Sequence, residues 1–456
     1  MKDSIDFGSM DISTLFRKLL VPTVLGMVFS AIFVITDGIF VGKGIGSDAL
    51  AGGKILLPSI SAPLFMIAAG IGLMFGVGGS VVASIHLSQG KRKAANINIT
   101  QALVFSAILI LIMSALCFYF VEPLGRFLGS SDKLLPYVIE YMSWYVPFLV
   151  FYEILNISMF YIRLDGSPNY AMMCNATAAI LNILLDYIFI FEFGWGMMGA
   201  AFATSLGTVV GGLMTLVYLM HYSHDLRLYR IKLSRKSLRM TFRNIGYMVK
   251  LGNSAFVSEA SIACMMFLGN YVFIRNLGED GVAAFSIVCY FFPIIFMVCN
   301  AIAQSAQPII SYNFGAGQPE RVRKALRLSL RTALICGICF FILTTLCCRN
   351  IVALFIDRSY SAFDIAVNGI PYFGIGFIFF AINMIGIGYY QSIERGQRAT
   401  IITLLRGVVF MLIGFFVLPP ILGVPGIWLA VPSAELLTTL YIIGIYFKDR
   451  FIVRRR

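Results

Sequence analysis

Long apolar runs, separated by short polar segments, follow one another along the whole chain. A run of about 20 predominantly apolar residues is long enough to cross the hydrocarbon core of a bilayer as a helix. The pattern therefore predicts an all-α polytopic membrane protein with twelve transmembrane helices. The predicted spans are 14–39, 52–80, 95–120, 134–160, 169–191, 198–220, 246–274, 282–311, 323–346, 362–388, 399–418 and 426–447.

Polar side chains interrupt two of these runs in the first half of the chain. Asn182 and Asp186 lie within AAILNILLDYIFIF (178–191), four residues apart and thus on one face of a helix. Asp37 interrupts VFSAIFVITDGIFVG (28–42). Because an ionisable group within the bilayer is costly, it usually faces a bundle interior or a water-filled cavity and serves ions, protons or substrate.

The three polar groups are predicted to reach similar depths. At about 1.5 Å per residue, Asn182 lies roughly 20 Å and Asp186 roughly 26 Å from the start of the fifth span at Asn169. Asp37 reaches a comparable depth in the first span. Burial and a neighbouring carboxyl group both disfavour ionisation, so convergence of these residues would create a site for a proton or a cation.

Other interpretations of these residues remain open. Asp37, which precedes Gly38, would also suit the end of a helix at headgroup level, and Asn182 would suit a structural hydrogen bond between helices. Pro22 predicts a kink in the first span. That kink is either a hinge or a static feature.

The second half carries fewer acids in its core. Its intramembrane charges are Glu259, Arg406 and Glu435. Arg406 and Glu435 fall at similar depths on consecutive antiparallel spans, which favours a structural ion pair over substrate contact. In the first half, Glu153 is expected to snorkel or to pair with Arg163.

Composition and charge fit a membrane protein. The chain is 59% hydrophobic and 12% charged, and its net charge is +13. With both termini in the cytoplasm, 27 of the 35 Lys and Arg residues fall in inner segments. The positive-inside rule thus accounts for the basic balance, and neither nucleic acid nor any cofactor is predicted as a partner.

A weak internal repeat relates the two halves. TDGIFVGKGIGSDALAG (36–52) parallels GNYVFIRNLGEDGVAAF (269–285), and GMMGAAFATSLG (196–207) parallels GVPGIWLAVPSA (423–434). Six spans per half predict two six-helix bundles related by a pseudo-two-fold axis along the membrane normal. The predicted organisation is an N-terminal lobe at 1–225, a basic cytoplasmic linker at 226–245 and a C-terminal lobe at 246–456.

The sequence contains few features that indicate an enzyme. The sequence has no H-E-x-x-H motif, Walker A loop or G-x-S-x-G motif. The chain is therefore predicted not to be an enzyme, and an ion gradient rather than ATP is the expected energy source.

Several segments together resemble the multidrug and toxic compound extrusion (MATE) family. They are TDGIFVG (36–42), RLDGSPNYA (163–171), NILLD (182–186), GMMGAAFATSLG (196–207), AQPIISYNFGAG (306–317) and GIWLA (426–430). The resemblance implies two six-helix lobes that export amphiphilic, often cationic organic compounds in exchange for protons or sodium ions by alternating access. A flippase for a lipid-linked saccharide precursor, from the same superfamily, is the alternative.

The resemblance also implies roles for residues. The family's first-span aspartate falls on Asp37, and the Asn-x-x-x-Asp of one branch falls on Asn182 and Asp186, as a proton or Na+ site. That branch has further polar side chains near Tyr141 and Thr204. These two, with Glu259, Arg406 and Glu435, are the candidate substrate or coupling contacts.

The sequence departs from another branch of the family. That branch carries acids in spans seven and ten, whereas Glu259 lies about one turn early and span ten has Asp364 only at its outer start. Ion coupling is therefore expected in the N-terminal lobe, with protons preferred to sodium. The expected setting is the inner (cytoplasmic) membrane, where the chain acts as a monomer on small organic substrates.

Overall fold

Helices make up nearly all of the described chain. The computed structural model describes residues 5–44, 56–127, 132, 135–231 and 234–454. Twelve long helices follow in chain order: α1 Ile12–Gly44, α2 Leu56–Ser88, α3 Arg92–Tyr119, α4 Leu135–Leu164, α5 Pro168–Glu192, α6 Gly196–Tyr222, α7 235–277, α8 279–315, α9 Pro319–Leu346, α10 Ser361–Ser392, α11 Gly396–Leu422 and α12 Val424–Arg454.

The predicted fold class is confirmed. Among the described residues, eleven helical segments are long and apolar enough to cross a membrane. The longest of them, Arg235–Gly315, is broken at Gly278, where φ is 67° and ψ is −158°. A glycine adopts this left-handed conformation without a clash at Cβ, so the segment supplies two spans and the total is twelve.

Most span boundaries differ from the prediction by only a few residues. The largest difference is in α7, which begins at Arg235 rather than at 246 because the basic segment continues the helix. Ser234 caps this helix, since its side chain accepts a hydrogen bond from the Ser237 backbone N–H at 3.2 Å. The predicted starts of the second and fourth spans, at 52 and 134, lie outside the described residues.

The chain packs as two compact units. Unit 1 contains the described residues up to Gly252 together with Ser311–Gly317, and unit 2 contains Asn253–Ile310 and the described residues from Gln318 onward. In unit 1, α1 packs against α5, α5 against α6, and α4 against α2, α3 and α6. In unit 2, α12 packs against α10 and α11, and α9 against α10.

The segment after α6 is fastened to unit 1 by a buried carboxylate. Asp165 accepts hydrogen bonds from the backbone N–H groups of residues 224–226 at 2.7–2.8 Å and from the Tyr218 hydroxyl at 2.8 Å. Further along, the Tyr229 N–H donates to Thr100 Oγ1 at 2.9 Å. The start of the basic linker segment is therefore part of the packed structure of unit 1.

Glycines allow α2 and α7 to cross within unit 1. A side chain at Gly78 would overlap the Met248 carbonyl, and one at Gly252 would overlap the Met74 carbonyl. Both obstacles are backbone atoms, which cannot rotate away as a side chain would. The two backbones can therefore approach this closely only because both positions lack a Cβ atom.

We expect Gly252→Ala to lower the stability of the folded protein by about 1–3 kcal/mol, because the new methyl group overpacks the crossing of α2 and α7. The measurement is the melting temperature of the purified protein in detergent. Gly246→Ala on the same helix is the matched control, since nothing lies within 4 Å of its added Cβ. Equal melting temperatures of the two variants would contradict the crossing.

Candidate functional site

The fifth helix carries the polar pair that the sequence singled out. Asn182 and Asp186 project from the same face of α5, and both are fully buried, with 1% and 0% of their surface exposed. A π-helical segment, Ile188–Glu192, begins two residues after Asp186. Such widened turns are rare and occur frequently at functional sites.

Small residues bring α6 close to this pair. A Cβ atom on Gly207 would lie 2.7 Å from the Ala178 carbonyl oxygen and 3.2 Å from Asn182 Cβ. One turn further, a Cβ atom on Gly211 would lie 3.0 Å from Ala178 Cβ. The two glycines thus let α5 and α6 pack at short range, which places Thr204 beside Asn182.

The first helix brings Asp37 to Asp186. The two carboxyl groups face each other within interaction range, but neither oxygen of Asp186 has a hydrogen bond of ordinary geometry. Oδ1 of Asp37 is also buried and without a partner. The predicted convergence of these acids is therefore present in unit 1, and Asp37 lies within α1 rather than at its end.

A polar contact that the sequence did not single out joins α1 to α5. Asn175 Nδ2 donates to the Gly26 carbonyl at 2.8 Å and to Ser30 Oγ at 2.7 Å. Asn175 lies seven residues before Asn182, and this helical spacing is the signal that would have found it. The contact fixes the register of α1 along α5 and hence the height of Asp37.

Hydroxyl groups complete the surroundings of the acids. Asn182 Nδ2 donates to Thr204 Oγ1 at 3.2 Å. Tyr141 on α4 lies close enough to interact electrostatically with both Asp37 and Asp186. Tyr145, one turn further, stacks on Phe65 with ring centroids 4.6 Å apart, and its hydroxyl has no hydrogen-bond partner.

The site is rich in oxygen atoms and poor in donors. Asn182 Oδ1, both oxygens of Asp186 and Oδ1 of Asp37 are buried without a partner. Among the described residues, no basic side chain balances the two acids. Two adjacent carboxylates without a counter-ion repel each other, so the arrangement suits a bound proton or a small cation.

The pair predicted in unit 2 is present. Arg406 lies in a π-helical segment of α11, Leu405–Val409, and its Nη1 atom is 3.8 Å from Glu435 Oε1. Asn383, which sequence reasoning missed within an apolar run, donates to Glu435 Oε2 at 2.7 Å. The Arg406 guanidinium also lies over the Phe380 ring, 5.0 Å from its centroid.

A small cavity of about 20 Å³ adjoins this pair. Arg406 and Glu435 line it together with Ser261, Met265, Phe292 and Phe380, among others. Glu259 is on α7 but is not among the lining residues. Of the three charges predicted in the second half, the structure thus brings together two and leaves Glu259 apart.

The expectation for Glu153 is wrong. Its carboxyl group is fully buried and has no hydrogen-bond partner, so it neither snorkels nor pairs with Arg163. Arg163 instead donates through Nε to the Met159 carbonyl at 2.9 Å and through Nη1 to Thr23 Oγ1 at 3.4 Å. The ten-residue separation on one helix explains the difference, because it puts the two groups about 15 Å apart along the axis.

Pro22 does not interrupt α1. The helix runs through it from Ile12 to Gly44, and the neighbouring Thr23 hydroxyl donates to the Leu19 carbonyl at 2.7 Å. A small cavity of about 10 Å³ lies beside Pro22, lined also by Gly26, Met159 and other residues of unit 1. The hinge role of Pro22 stays a prediction.

Comparison with known proteins agrees with this architecture. The MatE family model matches residues 22–188 and again residues 255–423. A FAD transporter of Shewanella oneidensis is 27% identical over 96% of this chain and 95% of its own length. A multidrug export protein, MepA of Staphylococcus saprophyticus, is 25% identical over 95% of this chain and 93% of its own.

Solved structures share the fold. A crystal structure of MATE in complex with MaL6 superimposes with a TM-score of 0.88 at 21% identity, covering 98% of both chains. The family model matches once in each half of the sequence and spans most of the chain in total. The protein is therefore a multi-pass membrane protein that belongs to the MATE family of transporters.

Proposed function

We propose that this protein is a secondary active multidrug antiporter, which exports amphiphilic, often cationic organic compounds in exchange for protons. The observation that carries the proposal is the pair of facing carboxyl groups, Asp37 and Asp186, in a buried site without a basic partner. The similarity to multidrug export proteins such as MepA supports the substrate class. Alternating access by rocking or gating of helices is the expected route.

Competition at the acid pair would couple the two fluxes. Asp37 and Asp186 cannot both be ionised at short range unless a cation lies between them. Protonation removes the charge that attracts a cationic substrate, and binding of the substrate favours release of the proton. The proton and the substrate can then favour different conformations of the transporter. A ligand shifts the equilibrium between the inward-open and outward-open states by the difference between its affinities for them.

Sodium is the second candidate for the coupling ion. Hard cations prefer oxygen ligands, and Asn182 Oδ1 with the carboxylates of Asp37 and Asp186 offers such a set. The hydroxyls of Thr204 and Tyr141 adjoin it. Protons come first in the proposal because the acids alone suffice for them, whereas a sodium ion needs several oxygens to converge.

The charge of the interior favours cations as substrates. Among the charges buried within the described spans, acids outnumber bases. Glu153, Glu259, Glu435 and the acid pair stand against Arg163 and Arg406. A flippase for lipid-linked saccharides would handle a pyrophosphate, which a basic interior suits better.

Flavin nucleotide export is a second candidate function, since the FAD transporter matches nearly the full chain at 27% identity.

The proposed setting follows from charge asymmetry. We place the protein in the inner (cytoplasmic) membrane of a bacterium with both termini in the cytoplasm, because most Lys and Arg residues then lie on the inner side. The chain would act as a monomer. Two six-helix lobes would rock against each other, and Pro22 would serve as a hinge in α1.

We expect purified protein in liposomes to accumulate ethidium when a pH gradient is imposed. The double variant Asp37→Asn, Asp186→Asn should lose this accumulation, because amides cannot exchange protons, while Asp364→Asn at the exposed start of α10 should retain it. The measurement is ethidium fluorescence against the size of the gradient. Undiminished accumulation by the double variant would refute the mechanism, and gradient-driven FAD movement without ethidium movement would favour the flavin nucleotide function.

The coupling ion can be identified by imposing a pH gradient and a sodium gradient in separate experiments. We expect a pH gradient alone to drive ethidium accumulation and a sodium gradient alone to leave it at the level of protein-free liposomes. Asn182→Leu, which removes a sodium ligand but no titratable group, should then leave proton-driven transport within about threefold of wild type. Transport driven by sodium alone and abolished by Asn182→Leu would replace the proton with sodium in the proposal.

The Arg406–Glu435 pair is expected to stabilise unit 2 rather than to contact substrate. Arg406→Met should cost about 3–5 kcal/mol of stability, because it leaves the Glu435 carboxylate buried without its cation. The double variant Arg406→Met, Glu435→Leu should recover most of this loss and retain coupled ethidium transport. Melting temperature and transport are measured together; a stable double variant that no longer transports would assign the pair to substrate instead.

A further inference from the structure

A third buried acid of unit 1, Glu153, lies apart from the acid pair. It lies on α4, eleven residues before the helix end at Leu164, and therefore about 16 Å from that end along the axis. Its residue surface is 0% exposed, and both carboxyl oxygens lack a hydrogen-bond partner. A carboxylate in such a place would be far from bulk water, with no counter-ion and only the neighbouring Ser106 hydroxyl near its charge.

The surroundings of this carboxyl group are shaped to fit it. A Cβ atom on Gly72 of α2 would lie 2.6 Å from Glu153 Oε2, so the carboxyl group occupies the space that this glycine leaves open. Ser106 of α3, also fully buried, lies beside it and donates its hydroxyl to the Leu103 carbonyl at 3.2 Å. Three helices thus enclose the group.

Neighbouring donors and charges are engaged elsewhere or absent. The Tyr161 hydroxyl, which is near enough to interact with Glu153, donates to the Phe75 carbonyl at 3.0 Å. Arg163 is held by Met159 and Thr23. Among the elements packed against α4, residues 64–85 of α2 and 196–217 of α6 contain no ionisable side chain, and 95–118 of α3 contain only Cys117. The ionisable side chains of α5, which also packs against α4, are Tyr170, Cys174, Asp186, Tyr187 and Glu192. None of them is basic.

We propose that Glu153 is a second proton-carrying residue, separate from the Asp37–Asp186 pair. In the conformation described here it holds its proton, because an ionised carboxylate would be buried without a partner. When α2 moves away from α4, water enters beside Gly72, the carboxyl O–H bond breaks and the proton passes to that water. The inference rests on the proposed antiport, to which it adds one exchangeable proton.

The protonated state can be observed directly, without any substrate. Infrared spectra of the reconstituted protein at neutral pH should contain the carbonyl stretching band of a protonated carboxyl group that is missing from Glu153→Gln. Glu140→Gln, an exposed position on the same helix, should leave that band unchanged. If Glu153→Gln does not fold, labelling the wild-type glutamates with 13C should shift the same band, and a spectrum without a shifted band would overturn the proposal.

Transport distinguishes a proton carrier from a buried structural acid. Glu153→Gln should still allow ethidium to flow down its own gradient, but its accumulation ratio should fall about tenfold for each unit of pH difference, the effect of one proton lost from the cycle. Glu140→Gln should match wild type. Unchanged accumulation by Glu153→Gln would overturn the proposal; failure of wild type to move ethidium at all would instead count against the multidrug function, while the infrared result would still decide the state of Glu153.

Discussion

The cost of burying a carboxyl group without a donor or a counter-ion is the constraint on which unit 1 depends. Asp186 and Glu153 have no exposed surface, and none of their carboxyl oxygens has a hydrogen-bond partner. A group of this kind is tolerated only in a neutral form or with a cation bound. In the proposed mechanism, these groups take up a proton or a cation when buried and release it when a conformation exposes them to water.

Close helix packing is what makes such burial achievable. Gly207 and Gly211 let α6 approach α5 until Thr204 reaches Asn182, and Gly72 leaves space for the Glu153 carboxyl group. The helices gain van der Waals contact at these points without the side-chain volume that would hold them apart. The small residues thus determine how deeply the acids can be buried between the helices.

Unit 2 treats its buried acid differently. Glu435 receives a hydrogen bond from Asn383 and lies near Arg406, so its charge is compensated within the protein. A π-helical segment occurs in each unit beside the polar group in question, Ile188–Glu192 after Asp186 and Leu405–Val409 around Arg406. The widened turns are alike, but the electrostatics differ: Asp186 has no basic partner, whereas the charge of Glu435 is compensated by Arg406 and Asn383.

The sequence by itself determined the twelve spans, because runs of about 20 apolar residues can satisfy their backbone groups in lipid only as helices. It also predicted the convergence of Asp37, Asn182 and Asp186, since helical rise and periodicity convert spacing into depth and face. The sequence did not determine helix ends where a polar segment such as 235–245 continues a helix beyond the apolar run. Hydropathy marks the part of a helix that lies in lipid and not the part that extends into water.

Only the tertiary structure decided which polar groups find partners. Asn175, Asn383 and Glu153 each interrupt an apolar run in the sequence, yet the first two are hydrogen-bonded across helices and the third is not. Glu153 and Arg163 look like a pair in the sequence and are not one in the fold. Partnership depends on how neighbouring helices are rotated and how closely they approach, and contacts between distant parts of the chain set both.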